Sequence, residues 1–169
     1  MKTIYTFSLL LITTISVYAQ TVTRGPYMQS PNHESIILMW RTDTNTDTKV
    51  WYWTDSANLN LTADINNNVR DHILKLTGLQ PYTNYYYKIG NAAGQFPGIV
   101  SKQAVKTHPT PGTKDKPLRV WAIGDFGKGN QNQVNVKQSY EAYTGDRGTD
   151  VWIWLGDNAY DDGSDSEYQ

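Results

Sequence analysis

An all-β sandwich followed by the opening βαβ unit of an α/β domain is the architecture this sequence predicts, and three observations predict it. Residues 21–107 carry short β-branched and aromatic runs separated by turn residues. Residues 108–117 read HPTPGTKDKP, where three prolines, one glycine and three charges in ten positions rule out a packed element. Residues 118–160 hold two short apolar runs, each closed by a Gly-Asp pair, on either side of a polar run of helical length.

In chain order, residues 1–19 read as a secretory signal peptide. Lys2 supplies the positive start, residues 4–17 form an apolar stretch diluted by threonine and serine, and Val17-Tyr18-Ala19 places small residues at the cleavage positions. Cleavage after Ala19 is expected, which makes the protein secreted or periplasmic. The stretch is short and polar for a membrane span, so no membrane contact is expected after its removal. A retained N-terminal anchor is the alternative. The 169 residues include no cysteine, so the fold relies on core packing and bound metal rather than disulfides, and thiolate zinc sites are excluded. A net charge of −1 gives no electrostatic case for nucleic acid.

Within the first domain, residues 35–41 and 48–53 have strand length and composition, and Asp43, Asn45 and Asp47 between them predict a turn-rich connection. Residues 69–76 form a further strand, broken at Thr77-Gly78, and residues 99–106 form the last. Turns every 8–12 residues argue for a sandwich. Leu79, Pro81, Thr83 and Tyr85 have the spacing of a tyrosine corner, with Tyr85 starting a strand and hydrogen-bonding back to nearby backbone. His33, His72 and His108 read as packed or solvated side chains of this domain. Asn60-Leu61-Thr62 is a formal glycosylation sequon.

Beyond the linker, Val120-Trp121-Ala122-Ile123 and Val151-Trp152-Ile153-Trp154-Leu155 read as strands buried on both faces, joined by a helix over residues 131–143. A βαβ crossover returns the second strand parallel to the first, so both Gly-Asp pairs emerge at one carboxyl edge. Neighbouring strands lie about 4.8 Å apart, which points Asp125 and Asp157 into one crevice. Two carboxylates that close need a cation between them, and a metal pair about 3.5–4 Å apart bridged by one carboxylate would satisfy them. Each glycine is expected to let the backbone turn sharply at the strand end. Tyr160, three residues after Asp157, adds a phenol that a hard trivalent ion such as Fe(III) can deprotonate. Ordinary turns at both pairs, with Tyr160 a loop-packing side chain, stay open as the alternative.

Gly124-Asp125-Phe126-Gly127 and Gly156-Asp157-Asn158-Ala159-Tyr160 resemble the first two of five metal-binding blocks of the purple acid phosphatases, members of the calcineurin-like metallophosphoesterases. Arg24-Gly25-Pro26-Tyr27 and Trp40 are similar to the fibronectin-like domain that opens those proteins. The resemblance implies an all-β fibronectin type III-like sandwich (20–107), a linker (108–117), and the truncated βαβ start of an α/β metallophosphoesterase domain (118–169). It implies a binuclear centre of Fe(III) plus a divalent zinc, iron or manganese ion. Asp125 would ligate the ferric ion, Asp157 would bridge both metals, and Tyr160 would be the phenolate. The substrate would be a phosphate monoester. The family's remaining histidine and asparagine ligands and its proton donor have no counterpart here, since no histidine follows His108. The sequence therefore reads as an N-terminal fragment, inactive by itself, with no catalytic residue of its own beyond the metal ligands. A nucleotidase or phosphodiesterase of the same superfamily, an exported binding module and a structural spacer are the other readings. The Gly124–Gly129 run matches no dinucleotide or P-loop spacing, the acidic tail no EF-hand loop, and no Ser-His-Asp triad can be argued.

Overall fold

The structure, a computed structural model, describes residues 20–97 and 104–168. The leader expected at 1–19 and the first part of the strand expected at 99–106 lie outside the described residues. In order come β1 (Val22–Gln29), β2 (Ile36–Trp53), β3 (Leu61–Leu76), β4 (Asn84–Asn91), β5 (Gly94–Gln95), β6 (Ala104–Lys106), β7 (Val120–Ile123), α1 (Gln131–Thr144), a 3-10 turn (Gly145–Arg147) and β8 (Val151–Trp154). Among the described residues, no helix is long and apolar enough to cross a membrane.

Strict alternation builds the first domain. Ile36, Leu38, Trp40 and Thr42, then Thr48, Val50 and Tyr52, are the buried positions of β2. A strand's side chains alternate between faces, so this pattern turns one face inward along its length. β2 pairs with β3 on one edge; on the other it pairs with β1 through residues 37–42 and with β4 through residues 49–53. The turn expected at Asp43, Asn45 and Asp47 is therefore corrected: β2 runs on through them as one strand. The polar cluster appears instead as an irregularity, where Arg41 to Thr46 opposes only Asp71 to Val69 on β3. Such bulges bend a strand and increase its twist. Here the bend lets one six-stranded hydrogen-bonded sheet fold over itself into a sandwich-like body. Both halves of β2 feed the same core, together with Leu74, Leu76, Leu79, Tyr85, Tyr87, Ile89, Phe96 and Val105.

Two side chains fasten this body. His72, 1% exposed, stacks on Trp40 across the β2–β3 pair, its Nε2 2.9 Å from Thr42 Oγ1 and its Nδ1 2.7 Å from Thr48 Oγ1. It thus ties together the two flanks of the bend. At the other end the Gln80 N–H donates to the Tyr85 phenol oxygen at 2.8 Å, the contact expected of a tyrosine corner.

The second unit is small. β7 and β8 pair in parallel with Val120 opposite Val151 and Ile123 opposite Trp154. Asn130 caps α1, its side-chain oxygen accepting from the Asn132 and Gln133 N–H groups at 3.0 and 3.3 Å. The helix rests on the sheet through Tyr140, stacked on Trp121 at 3.9 Å. Trp121, Trp152, Trp154 and Phe126 continue that contact as one aromatic row. Burial on both faces, expected for these strands, is not observed: Val120, Trp152, Ile153 and Trp154 are each 44–52% exposed. Two strands and one helix cannot enclose both faces of a sheet.

Candidate metal centre

The register of β7 and β8 ends both strands side by side, and backbone hydrogen bonds then lace the two following loops together. Leu155 N–H donates to Ile123 O at 2.9 Å, Asp125 N–H to Gly156 O at 3.2 Å, Gly127 N–H to Asp157 O at 3.0 Å, and Tyr160 N–H to Gly127 O at 2.9 Å. Gly127 is required by space. A Cβ there would lie 2.2 Å from Asn158 C and Ala159 N, both backbone atoms of the facing loop.

Asp125 and Asp157 both adopt left-handed backbone, with φ of 54° and 52°. Aspartate tolerates this region better than most residues, yet it is sparsely populated and concentrates at functional sites. The role expected of the preceding glycines is corrected at the first pair. There the aspartate itself makes the turn, while at the second pair Gly156 also takes a positive φ, 118°. Gly124 is constrained by packing instead, since a Cβ there would approach Leu155 Cβ at 3.2 Å.

These turns bring the three predicted side chains together. The Tyr160 hydroxyl donates to Asp125 Oδ1 at 3.0 Å and also to Asp157 Oδ2. Hydrogen bonding to Asp157, then desolvation and the bond to Asp125, push the Tyr160 pKa well above that of an ordinary phenol. A proton shared among three oxygens thus stands where a cation would be expected. Lys128 is the nearby positive group, its Nζ 3.3 Å from Asp161 Oδ1 and 4.6 Å from the Tyr160 ring centroid. Asn158 Oδ1 is buried without a hydrogen-bond partner, so the loop leaves one more oxygen unsatisfied.

Two carboxylates and one phenol are an all-oxygen donor set, the kind suited to a hard cation, and the residues present fit one. Among the described residues no cluster of three His, Cys, Asp or Glu side chains could hold a metal. His72 is packed in the sandwich, His33 lies 3.8 Å from Glu34, and His108 Nε2 is buried without a partner. Sequence reading placed Gly127 in the first block without giving it a role, and missed Lys128 as part of the site. The close approach of the facing loop that makes Gly127 necessary is a tertiary contact, and nothing local marks Lys128.

Three comparisons bear on this arrangement. No curated protein matches the chain significantly. Among solved structures, PhoD superposes with a TM-score of 0.55 at 16% identity, covering 82% of this chain and 28% of that one. This likeness is one of fold, and its coverage is more than the sandwich and linker alone contain. The chain thus spans little over a quarter of PhoD's length. The chicken CNTN1 FN1–FN3 domains (TM-score 0.40, 18% identity, 52% of this chain and 30% of that one) and the fn3 domain of human contactin 1 (TM-score 0.39, 17% identity, 61% and 93%) are also similar. The family model described as "Purple acid Phosphatase, N-terminal domain" matches residues 25–108, the whole span from Gly25 in β1 to the end of the sandwich. The sandwich of this chain is a purple acid phosphatase N-terminal domain.

Proposed function

We propose that this chain belongs to an exported, metal-dependent phosphatase that hydrolyses phosphate monoesters. The observation that carries the reading is the single phenol bonded to two carboxylates at adjacent strand ends, immediately downstream of a domain of that family. The shared fold with PhoD across both units also supports it. Asp125 and Tyr160 would hold a ferric ion, and Asp157 would bridge it to a divalent zinc, iron or manganese ion. When bound, such a pair supplies Lewis acidity toward the phosphoryl group and an activated water.

The chain's own residues prepare that site. Asp125 and Asp157 concentrate negative charge at one edge, and the laced loops hold their separation. Both carboxylates hold the Tyr160 hydroxyl proton, and Tyr160 would give it up to serve as a phenolate ligand. Phe126, from the first loop, packs its ring against Trp152 and Trp154 of β8. The expected test uses the full-length protein supplied with iron and zinc. It should turn over p-nitrophenyl phosphate and show a visible phenolate-to-iron band, and Tyr160→Phe should abolish that band. Unchanged colour in the variant refutes the ligand assignment. Preference for bis(p-nitrophenyl) phosphate would assign the protein to the diesterases instead.

The binding-module reading finds little support. A cleft of about 590 Å³ lies at the β2–β3 irregularity, lined by residues that include Asp47, Asp64 and Asn67. Two of its polar groups already serve the fold: Asp47 Oδ2 accepts from Ala92 N–H at 2.7 Å, and Asn67 Oδ1 from Thr48 Oγ1 at 2.9 Å.

A further inference from the structure

The sandwich touches the second unit through charged side chains at two places. At the start of β8, the Asp150 carboxylate, only 9% exposed, accepts the Arg119 backbone N–H at 2.9 Å. It also lies 3.5 Å from Lys106 Nζ, which comes from β6 of the sandwich, and 3.8 Å from the Arg119 guanidinium. Lys106 in turn sits 3.6 Å above the Tyr82 ring. At the opposite end, past the carboxyl edge, Asp165 is gripped by two arginines of the sandwich. Arg41 Nη1 lies 2.7 Å from Asp165 Oδ2, and Arg24 Nη1 3.6 Å from Oδ1. Both arginines are three-quarters or more buried and share a second acid, Asp71, at 3.4 and 3.8 Å.

Asp165 is five residues beyond Tyr160 on the same loop. Within that loop, Glu167 accepts the Ser164 N–H at 2.7 Å and Glu167 N–H donates to Ser164 O at 3.0 Å. The segment that Arg41 and Arg24 hold is therefore a compact turn attached directly to the Tyr160 loop. Two contacts separated along the strand direction restrain orientation in a way that one contact cannot. The Arg41 contact is a short charge-assisted hydrogen bond, stronger than a neutral one, and Arg24 adds a second positive charge beside the other carboxylate oxygen.

We propose that the purple acid phosphatase N-terminal domain braces the candidate metal loop, with Arg41 and Arg24 as positioning residues that hold Asp165 and, through its turn, Tyr160. The proposal rests on the phosphatase reading for its consequence on metal, and on geometry alone for the brace itself. It gives the sandwich a role in the centre although it contributes no candidate ligand.

The experiment uses the full-length protein with Asp165→Asn, a change on an exposed loop that leaves the sandwich core untouched, and with Arg41→Gln. Hydrogen exchange of residues 158–168 is read first, without metal. The exposed acid partner sets the scale, so exchange should rise about two- to fivefold in either variant, with the β2 and β3 amides unchanged. About 1 M salt, which shortens the screening length to about 3 Å, should move the wild type toward the variants. Arg41→Lys should restore part of the protection, keeping the charge on a head group of different shape. Next, the visible band of the iron-loaded protein is followed against a competing chelator, and the variants should release iron at about two- to fivefold lower chelator concentration. Unaltered exchange in both variants overturns the brace. Altered exchange with a wild type that shows no band keeps the brace and removes the phosphatase reading. Altered exchange with unaltered iron retention refutes the positioning role.

Discussion

Gly127→Ala tests the geometry of the centre most directly. The added Cβ would lie 2.2 Å from Asn158 C and Ala159 N and 2.5 Å from Asn158 O, whereas ordinary contacts begin near 3.4 Å. The facing atoms are backbone, so no side chain can rotate away, and the loops must part by about 1.2 Å. The same contact carries the Gly127 N–H to Asp157 O bond at 3.0 Å and the Tyr160 N–H to Gly127 O bond at 2.9 Å. An opening of that size takes both beyond hydrogen-bond reach. At about 0.5–1.5 kcal/mol net for each bond, the loop pair loses about 1–3 kcal/mol. If the loops hold metal, affinity should fall by roughly 5- to 150-fold, at about 1.4 kcal/mol per factor of ten. The assay is chelator competition followed at the visible band, with exchange of the Tyr160 amide as a metal-free readout. Gly124→Ala is the matched control. Its Cβ would meet Leu155 Cβ at 3.2 Å, so the neighbour must give by only about 0.2 Å, against about 1.2 Å at Gly127. A Gly127→Ala protein that binds metal and protects Tyr160 as the wild type does would refute the reasoning.

The sandwich offers two further tests. Burial pushes the His72 pKa below its ordinary 6.5, outweighing Asp71 and Asp47, which act in the opposite direction. Between the folded pKa and 6.5 the unfolded chain therefore binds a proton that the native state refuses, and stability falls as pH drops through that window. Melting temperature should decline from pH 7.5 to pH 5, and His72→Gln should be less stable at pH 7.5 yet show a flatter pH dependence. An equally steep decline in the variant would assign the effect elsewhere. Tyr85→Phe leaves the Gln80 N–H without its 2.8 Å acceptor and should cost about 1–2 kcal/mol in urea unfolding, with no change in the visible band. A band that shifted would mean the corner reaches the centre.

How far the residues could be read depends on where their information lies. Composition and run length mark local structure, so the two halves of β2, the helix at Gln131–Thr144 and the apolar runs of β7 and β8 were legible without the fold. The tyrosine corner was legible for a related reason, because its bond closes over five residues. The first half of β3, LTADINNN, was not. It is mostly exposed and polar, so no alternation marks it as strand; its pairing with the far half of β2 does. The continuity of β2 through its polar centre was hidden likewise, since Asp43, Asn45 and Asp47 look like a turn until His72 is seen tying the flanks of the bend.

By itself the sequence determined that the two Gly-Asp pairs would emerge at one sheet edge, because a crossover that makes two strands parallel points both strand ends the same way; ordinary turns and a loop-packing Tyr160 stayed open. Only the tertiary structure decided how they meet. The left-handed turns fall on Asp125 and Asp157 themselves, Gly127 admits the facing loop, and Arg41 reaches Asp165 across 124 positions of chain. Contacts of that kind join residues whose neighbours in sequence carry no trace of one another. They exist only once the backbone has closed the distance.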